Sequence, residues 1–273
     1  MIRRAPLLAA LALTACAAHR PTPPATAAVI DQRIPPFASV PYEPFSREAA
    51  VAIALREWRL FGSPVDDDPP GTRPHPAPED KPERQEGLWQ RVGEYWWLGL
   101  ATDQKEARWT GKHDESGQVF PADDDEAYAW SAAFVDYVMR IAGARNRFPY
   151  AIAHDIYIDA ANDVTLHQAN WAVIAQRPDA YAPQRGDLIC TSRGRRTIRF
   201  DDLPARFAGH CDIVVATSPG SITVVGGNVD DAVTMKHVPV TPDGKLAGPD
   251  GTVLDSRYPW FVVLRVLYDT PTS

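Results

Sequence analysis

Three short segments hold the residues best suited to chemistry. Tyr128-Ala129-Trp130-Ser131-Ala132-Ala133-Phe134-Val135 offers a hydroxyl beside an indole. Gly209-His210-Cys211-Asp212-Ile213-Val214-Val215 offers an imidazole and a carboxylate, and Val225-Gly226-Gly227-Asn228-Val229 an amide. Hydroxyl and imidazole are groups of nucleophilic and acid–base catalysis. Each also has a purely structural use. Serine is a favoured helix N-cap, histidine can hold a structural hydrogen bond, and asparagine after two glycines tolerates positive φ. His154, Asp155, Asp159 and His167 could ligate a metal, but their spacing matches no metal motif, so neither a metal nor an organic cofactor is expected. His154, close after the Ser131 segment, is instead a candidate for lining a cleft. Of the eight tryptophans, Trp130 is the one expected beside that cleft. The basic run at 193–196 reads as a solvated loop.

These residues need elements to position them. Apolar periodicity predicts helices over 46–61, with Ser46 as N-cap, and over 88–100. A third helix is predicted over 127–143 and shorter ones over 154–162 and 168–175. If the third begins at Asp125, Ser131 lies in its second turn and nearby N–H groups are committed to the helix. If it begins nearer Ser131, those groups remain free. From Gly186 onward strands are predicted over 186–190, 211–216, 222–225, 232–240 and 260–267. Helices first and strands later imply an α+β fold. Residues 63–86, rich in proline and charge, read as a mobile surface loop within one domain over 37–273.

The order of these segments resembles that of NlpC-type and CHAP-type cell-wall hydrolases. Those carry a Trp-Cys-Ala-Ala-Phe-like helix start, a Gly-Asp strand, a Gly-His strand and a later polar residue. More closely, the chain resembles the bacterial family called domain of unknown function 2272. The resemblance implies a papain-like fold, with N-terminal helices packed on a C-terminal antiparallel sheet or half-barrel. It maps Ser131 onto the nucleophile, His210 onto the base and Asn228 onto the residue that orients it. The expected activity is peptidoglycan amide-bond hydrolysis, as endopeptidase or amidase. The alternative is an inactive module that binds peptidoglycan or an envelope protein. Serine stands where the NlpC-type and CHAP-type hydrolases have cysteine, and a serine must lose its proton as it attacks. Asp212 could assist, because i and i+2 share a strand face, although sharing a face does not require contact. Cys211, next in sequence to His210, points to the opposite face.

The start of the chain reads as a leader. Met1-Ile2-Arg3-Arg4 is basic, Ala5 to Leu13 is apolar and too short to span a bilayer, and Leu13-Thr14-Ala15-Cys16 has the pattern of a lipoprotein signal. Cleavage before Cys16 and its acylation would leave an Ala/Pro-rich tether over 16–36 and a protein anchored at the periplasmic face of the outer membrane. Cys190 and Cys211 would then sit in an oxidising compartment, either as a disulfide or as two buried thiols. A net charge of -7 without a basic tract excludes nucleic acid as the natural partner.

Overall fold

The computed structural model describes residues 43–74, 76–193 and 197–269. The leader, Cys16 and the tether lie outside them. The described elements belong to the unit formed by residues 42–273. Helix α1 (Arg47–Leu60) starts as its sequence suggests, with the Ser46 hydroxyl accepting from the Ala49 N–H at 3.2 Å. Its buried Glu57 carboxylate accepts from Arg91 at 2.7 Å and from the Tyr95 hydroxyl at 2.8 Å, which joins it to α2 (Leu88–Gly99). Helix α3 (Ser131–Ile141) is buried from Ser131 through Met139, and α4 (His154–Thr165) follows it. Among the described residues no helix is long and apolar enough to cross a membrane.

Six strands complete the α+β architecture: β1 (Val173–Gln176), β2 (Leu188–Ser192), β3 (Gly209–Ser218), β4 (Ser221–Val229), β5 (Ala232–Pro239) and β6 (Trp260–Val266). They form one sheet in the order β1-β6-β2-β3-β4-β5, antiparallel at every step. Cys211, Ile213 and Val215 face the core shared with the helices, whereas Val214 joins a second cluster with Ile189, Val224 and Trp260. Residues 168–175 do not form the expected helix. Val173 to Gln176 pair with β6 instead, because a short β-branched run gains more from an open sheet edge than from one isolated helical turn.

The start of the Pro-rich segment lies along the edge of β5. The Asp66 N–H donates to the Met235 carbonyl at 2.8 Å, and the Met235 N–H donates to the Pro64 carbonyl at 3.0 Å. Prolines lack a donor but keep their carbonyls, so a Pro-rich chain can still lie along a strand edge. Its far end carries Glu83 into the interior, where it is 1% exposed.

Cys190 and Cys211 are direct cross-strand partners on β2 and β3 and form a disulfide. At a sequence separation of 21, the cross-link is expected to contribute about 3 kcal/mol by restricting the unfolded chain. Denaturant titration of the Cys190→Ala/Cys211→Ala variant should show a loss of that size. A loss below about 1 kcal/mol would contradict it.

Candidate active site

The backbone decides first how Ser131 can act. A 3₁₀ segment, Ala122–Tyr128, precedes α3 without merging into it, and Trp130 is the N-cap. Ser131 is therefore the first residue of the helix, and the first helical bond runs from the Phe134 N–H to the Trp130 carbonyl at 3.0 Å. The N–H groups of Ser131, Ala132 and Ala133 have no acceptor one turn earlier, and the dipole's positive end lies there.

Ser131 Oγ lies 2.7 Å from His154 Nε2, and the other ring nitrogen of His154 bonds the Tyr157 hydroxyl one helical turn on. Burial, helped by the nearby His210 and Arg193, holds His154 well below the usual imidazole range. Burial also pushes the Tyr157 phenol far up, so it stays protonated. Ser131–His154–Tyr157 is thus a neutral chain. The Nε2 lone pair accepts from Ser131 in the tautomer that donates Nδ1–H to the Tyr157 oxygen, whereas a Tyr157 hydroxyl that donates to Nδ1 leaves the proton on Nε2. Ser131, His154, Gly209, Phe207, Arg193 and Asn228 line a cleft of about 540 Å³.

His210 belongs to a second network. Its Nε2 lies 2.8 Å from Asp212 Oδ1, and its Nδ1 receives a hydrogen bond from Arg193 Nη2 at 3.0 Å. A donor aimed at Nδ1 requires a lone pair there, so Nε2 carries the proton and the ring is neutral. Burial accordingly pushes His210 down to about 4, against the pull of Asp212 and with the help of Arg193. Asp212 Oδ2 pairs with Lys236 Nζ at 2.7 Å, and Lys236 is 1% exposed. Against the opposing effect of burial, Lys236 and His210 hold Asp212 well below the ordinary carboxylate range.

This pair spans β4, which lies between β3 and β5. Gly226 makes the crossing possible: a Cβ there would lie 1.8 Å from Asp212 Oδ1. Gly227 has a different task, since its Cβ would meet the Phe134 Cβ at 2.5 Å, so it lets β4 press against α3.

The two histidine rings are 5.4 Å apart at their centroids, edge to face. The geometry therefore redistributes the roles read from the sequence. Ser131 is bonded to His154 rather than His210, because both His210 nitrogens are taken by Asp212 and Arg193. Asn228 does not orient His210; Asp212 does. Asn228 sits at φ +54 in a β4 bulge, with its carbonyl accepting from Arg193 at 3.1 Å and its amide 3.4 Å from Glu83. Asp212 is wholly buried and cannot touch a ligand directly. Trp130, expected beside the cleft, is also wholly buried: it packs on Phe61 and Tyr95 and donates its indole N–H to Glu83. Of the residues considered as metal ligands, Asp155 pairs with Arg206 at 2.8 Å, and both His154 nitrogens are already bonded. Glu83, Asp125 and Asp231 do bring carboxylate oxygens within 4.8 Å of one another, but the Lys81 ammonium bonds Asp125 and lies 3.9 Å from Asp231.

Three residues of these networks escaped the sequence reading. Tyr157 had the one usable signal, its i+3 spacing from His154. Lys236 shares a strand face with Thr234 and Val238, a position where a lysine is unexpected. Glu83 carried no signal in its Pro-rich surroundings.

Glu83 gives a pH prediction. Burial, opposed by the Trp130 N–H and reinforced by Asp231 and Asp125, raises it to about 8. The folded state therefore holds a proton that the unfolded state releases near its ordinary value of 4.5. Stability should fall as pH rises between those values. Glu83→Gln keeps an acceptor for Trp130 without the titration. Urea midpoints of the two proteins should diverge in the variant's favour from pH 5 to 8; a constant difference would refute the assignment.

The model of one protein family, described as an uncharacterized protein conserved in bacteria (DUF2272), matches residues 83–266. The chain belongs to this family. The DUF2272 match begins at Glu83 and spans both histidine networks, all of α3 and α4, and the six strands. No curated protein and no solved structure matches the chain.

Proposed function

We infer that this DUF2272 protein is an exported, lipid-anchored amide-bond hydrolase of papain-like type, acting on peptidoglycan peptides with serine as the nucleophile. The observation that carries the reading is the 2.7 Å contact of Ser131 Oγ with His154 Nε2 at the N-terminus of α3. In the first step the Ser131 proton passes to His154 while Oγ bonds the substrate carbonyl carbon. The carbonyl electron pair moves to oxygen, where the free N–H groups at the helix start favour the negative charge. Collapse expels the amine, which takes the proton from His154 and leaves an acyl-serine. Water, deprotonated by the same imidazole, then releases the acid. Tyr157 occupies the place where serine hydrolases commonly carry a carboxylate, so the imidazolium is supported by a neutral group.

The disulfide accords with an oxidising compartment, and the Cys16 leader with an envelope location at the periplasmic face of the outer membrane. The second reading, an inactive module that binds peptidoglycan or an envelope protein, is favoured by Ser131 being only 4% exposed. Mass spectrometry of muropeptides separates the two. Incubating the full chain with peptidoglycan should yield new fragments that are absent with Ser131→Ala and with His154→Ala. Co-sedimentation with sacculi and no fragments from any folded sample would select the binding module.

A further inference from the structure

A second cleft, of about 640 Å³, adjoins His210 and is lined by four basic residues: Arg73, Arg193, Lys236 and Arg257. Three of them are neutralised by acids. Arg73 pairs with Asp66 at 3.2 Å and Asp68 at 3.0 Å, Lys236 with Asp212 at 2.7 Å, and Arg257 with Asp255 at 2.9 Å. Arg193 differs. Among the described residues its hydrogen-bond partners are both neutral, the His210 ring and the Asn228 carbonyl, and the Asp212 and Glu126 carboxylates act on it only from beyond ion-pair distance. It also lines the Ser131 cleft, so it stands where the two spaces meet.

An unpaired guanidinium at such a place has spare capacity. Arginine has five N–H donors in a planar fork. Both recorded bonds come from Nη2, which leaves Nε and Nη1 without a protein acceptor among the described residues. Nε–H and Nη1–H point to different sides of the guanidinium, so each can donate singly to a carboxylate oxygen, a charge-assisted contact stronger than a neutral hydrogen bond. The bonds to His210 and Asn228 hold the guanidinium in place in advance, which reduces the entropy lost when an anion docks.

We propose that Arg193 binds a carboxylate of the ligand, so that the cleft selects peptides with a free acid close to the bond presented to Ser131. This rests on the amide-hydrolase reading and sharpens it. The preferred peptide would be cut near a free C-terminus, releasing a short fragment that keeps the carboxylate.

The test is equilibrium binding to the full chain carrying Ser131→Ala, which removes turnover from the readout. Isothermal titration would compare N-acetyl-Ala-Ala with its C-terminal amide, in L,L and D,D forms. One acid form is expected to bind at least about tenfold more tightly than its amide. Arg193→Gln on the same background should bring the ratio close to one, whereas Arg193→Lys, which keeps the charge but not the hold on His210 and Asn228, should retain part of it. Thermal melts would establish that both variants are folded. Equal affinity of acid and amide, or no binding of either at millimolar concentration, would overturn the proposal. The comparison of acid with amide does not depend on any Arg193 variant folding. Failure of the hydrolase reading would appear separately, as wild-type protein that binds the acid but never cleaves it.

Discussion

Ser131→Ala is expected to lower the rate of peptide cleavage by about 10³-fold or more. His154→Ala should be about as damaging, and the double variant little worse than either, because nucleophile and base act as one unit. Both side chains are buried, so each variant needs a melting curve beside its kinetics. Ser131→Cys should retain cleavage, since the positive helix end that suits an oxyanion also favours a thiolate. The pH profile adds a sign. His154 must be neutral to accept the proton, and burial with nearby positive charge holds it well below 6.5. As pH falls through 6.5, kcat/KM should therefore hold its value, with the acid limb appearing only at lower pH. A limb centred at 6.5, or full activity in His154→Ala, would mean that His154 is not the base.

Lys236→Met is expected to destabilise the protein by about 3–5 kcal/mol, because it leaves the Asp212 carboxylate buried without its cation. The lysine also loses its place 4.9 Å from the centre of the Tyr258 ring. Asp212→Asn should cost a similar amount by stranding the ammonium. The double variant Lys236→Met/Asp212→Asn removes both charges and should recover much of the loss, which a thermodynamic cycle by chemical denaturation would measure. Single variants within about 1 kcal/mol of wild type would show that the pair is not a buried ion pair in solution. A stable double variant would also show whether the Asp212 charge matters to His210 beyond holding the fold together.

The sequence by itself determined the elements that rest on local rules. Ser46 capping α1, the apolar period of α3 and the short apolar runs of β3 and β6 all act within a few residues, so they could be read directly. Ser131, His210 and Asp212 could likewise be recognised as unusual for their surroundings. The i+2 spacing of His210 and Asp212 was visible, although whether they touch was not. What only the tertiary structure decided was which partner each group takes. His154 reaches Ser131 because α4 packs on β1 and β3, which brings its first residue to the start of α3, a relation that no short-range pattern encodes. Lys236 reaches Asp212 across an intervening strand because Gly226 has no side chain there, which depends on the register of three strands together. Trp130 turned inward because Glu83, brought in from a Pro-rich segment 47 residues earlier, supplies a buried acceptor for its N–H. Local spacing fixes faces and caps. The pairing of buried polar groups is fixed by long-range packing, since each must find a partner once water is excluded.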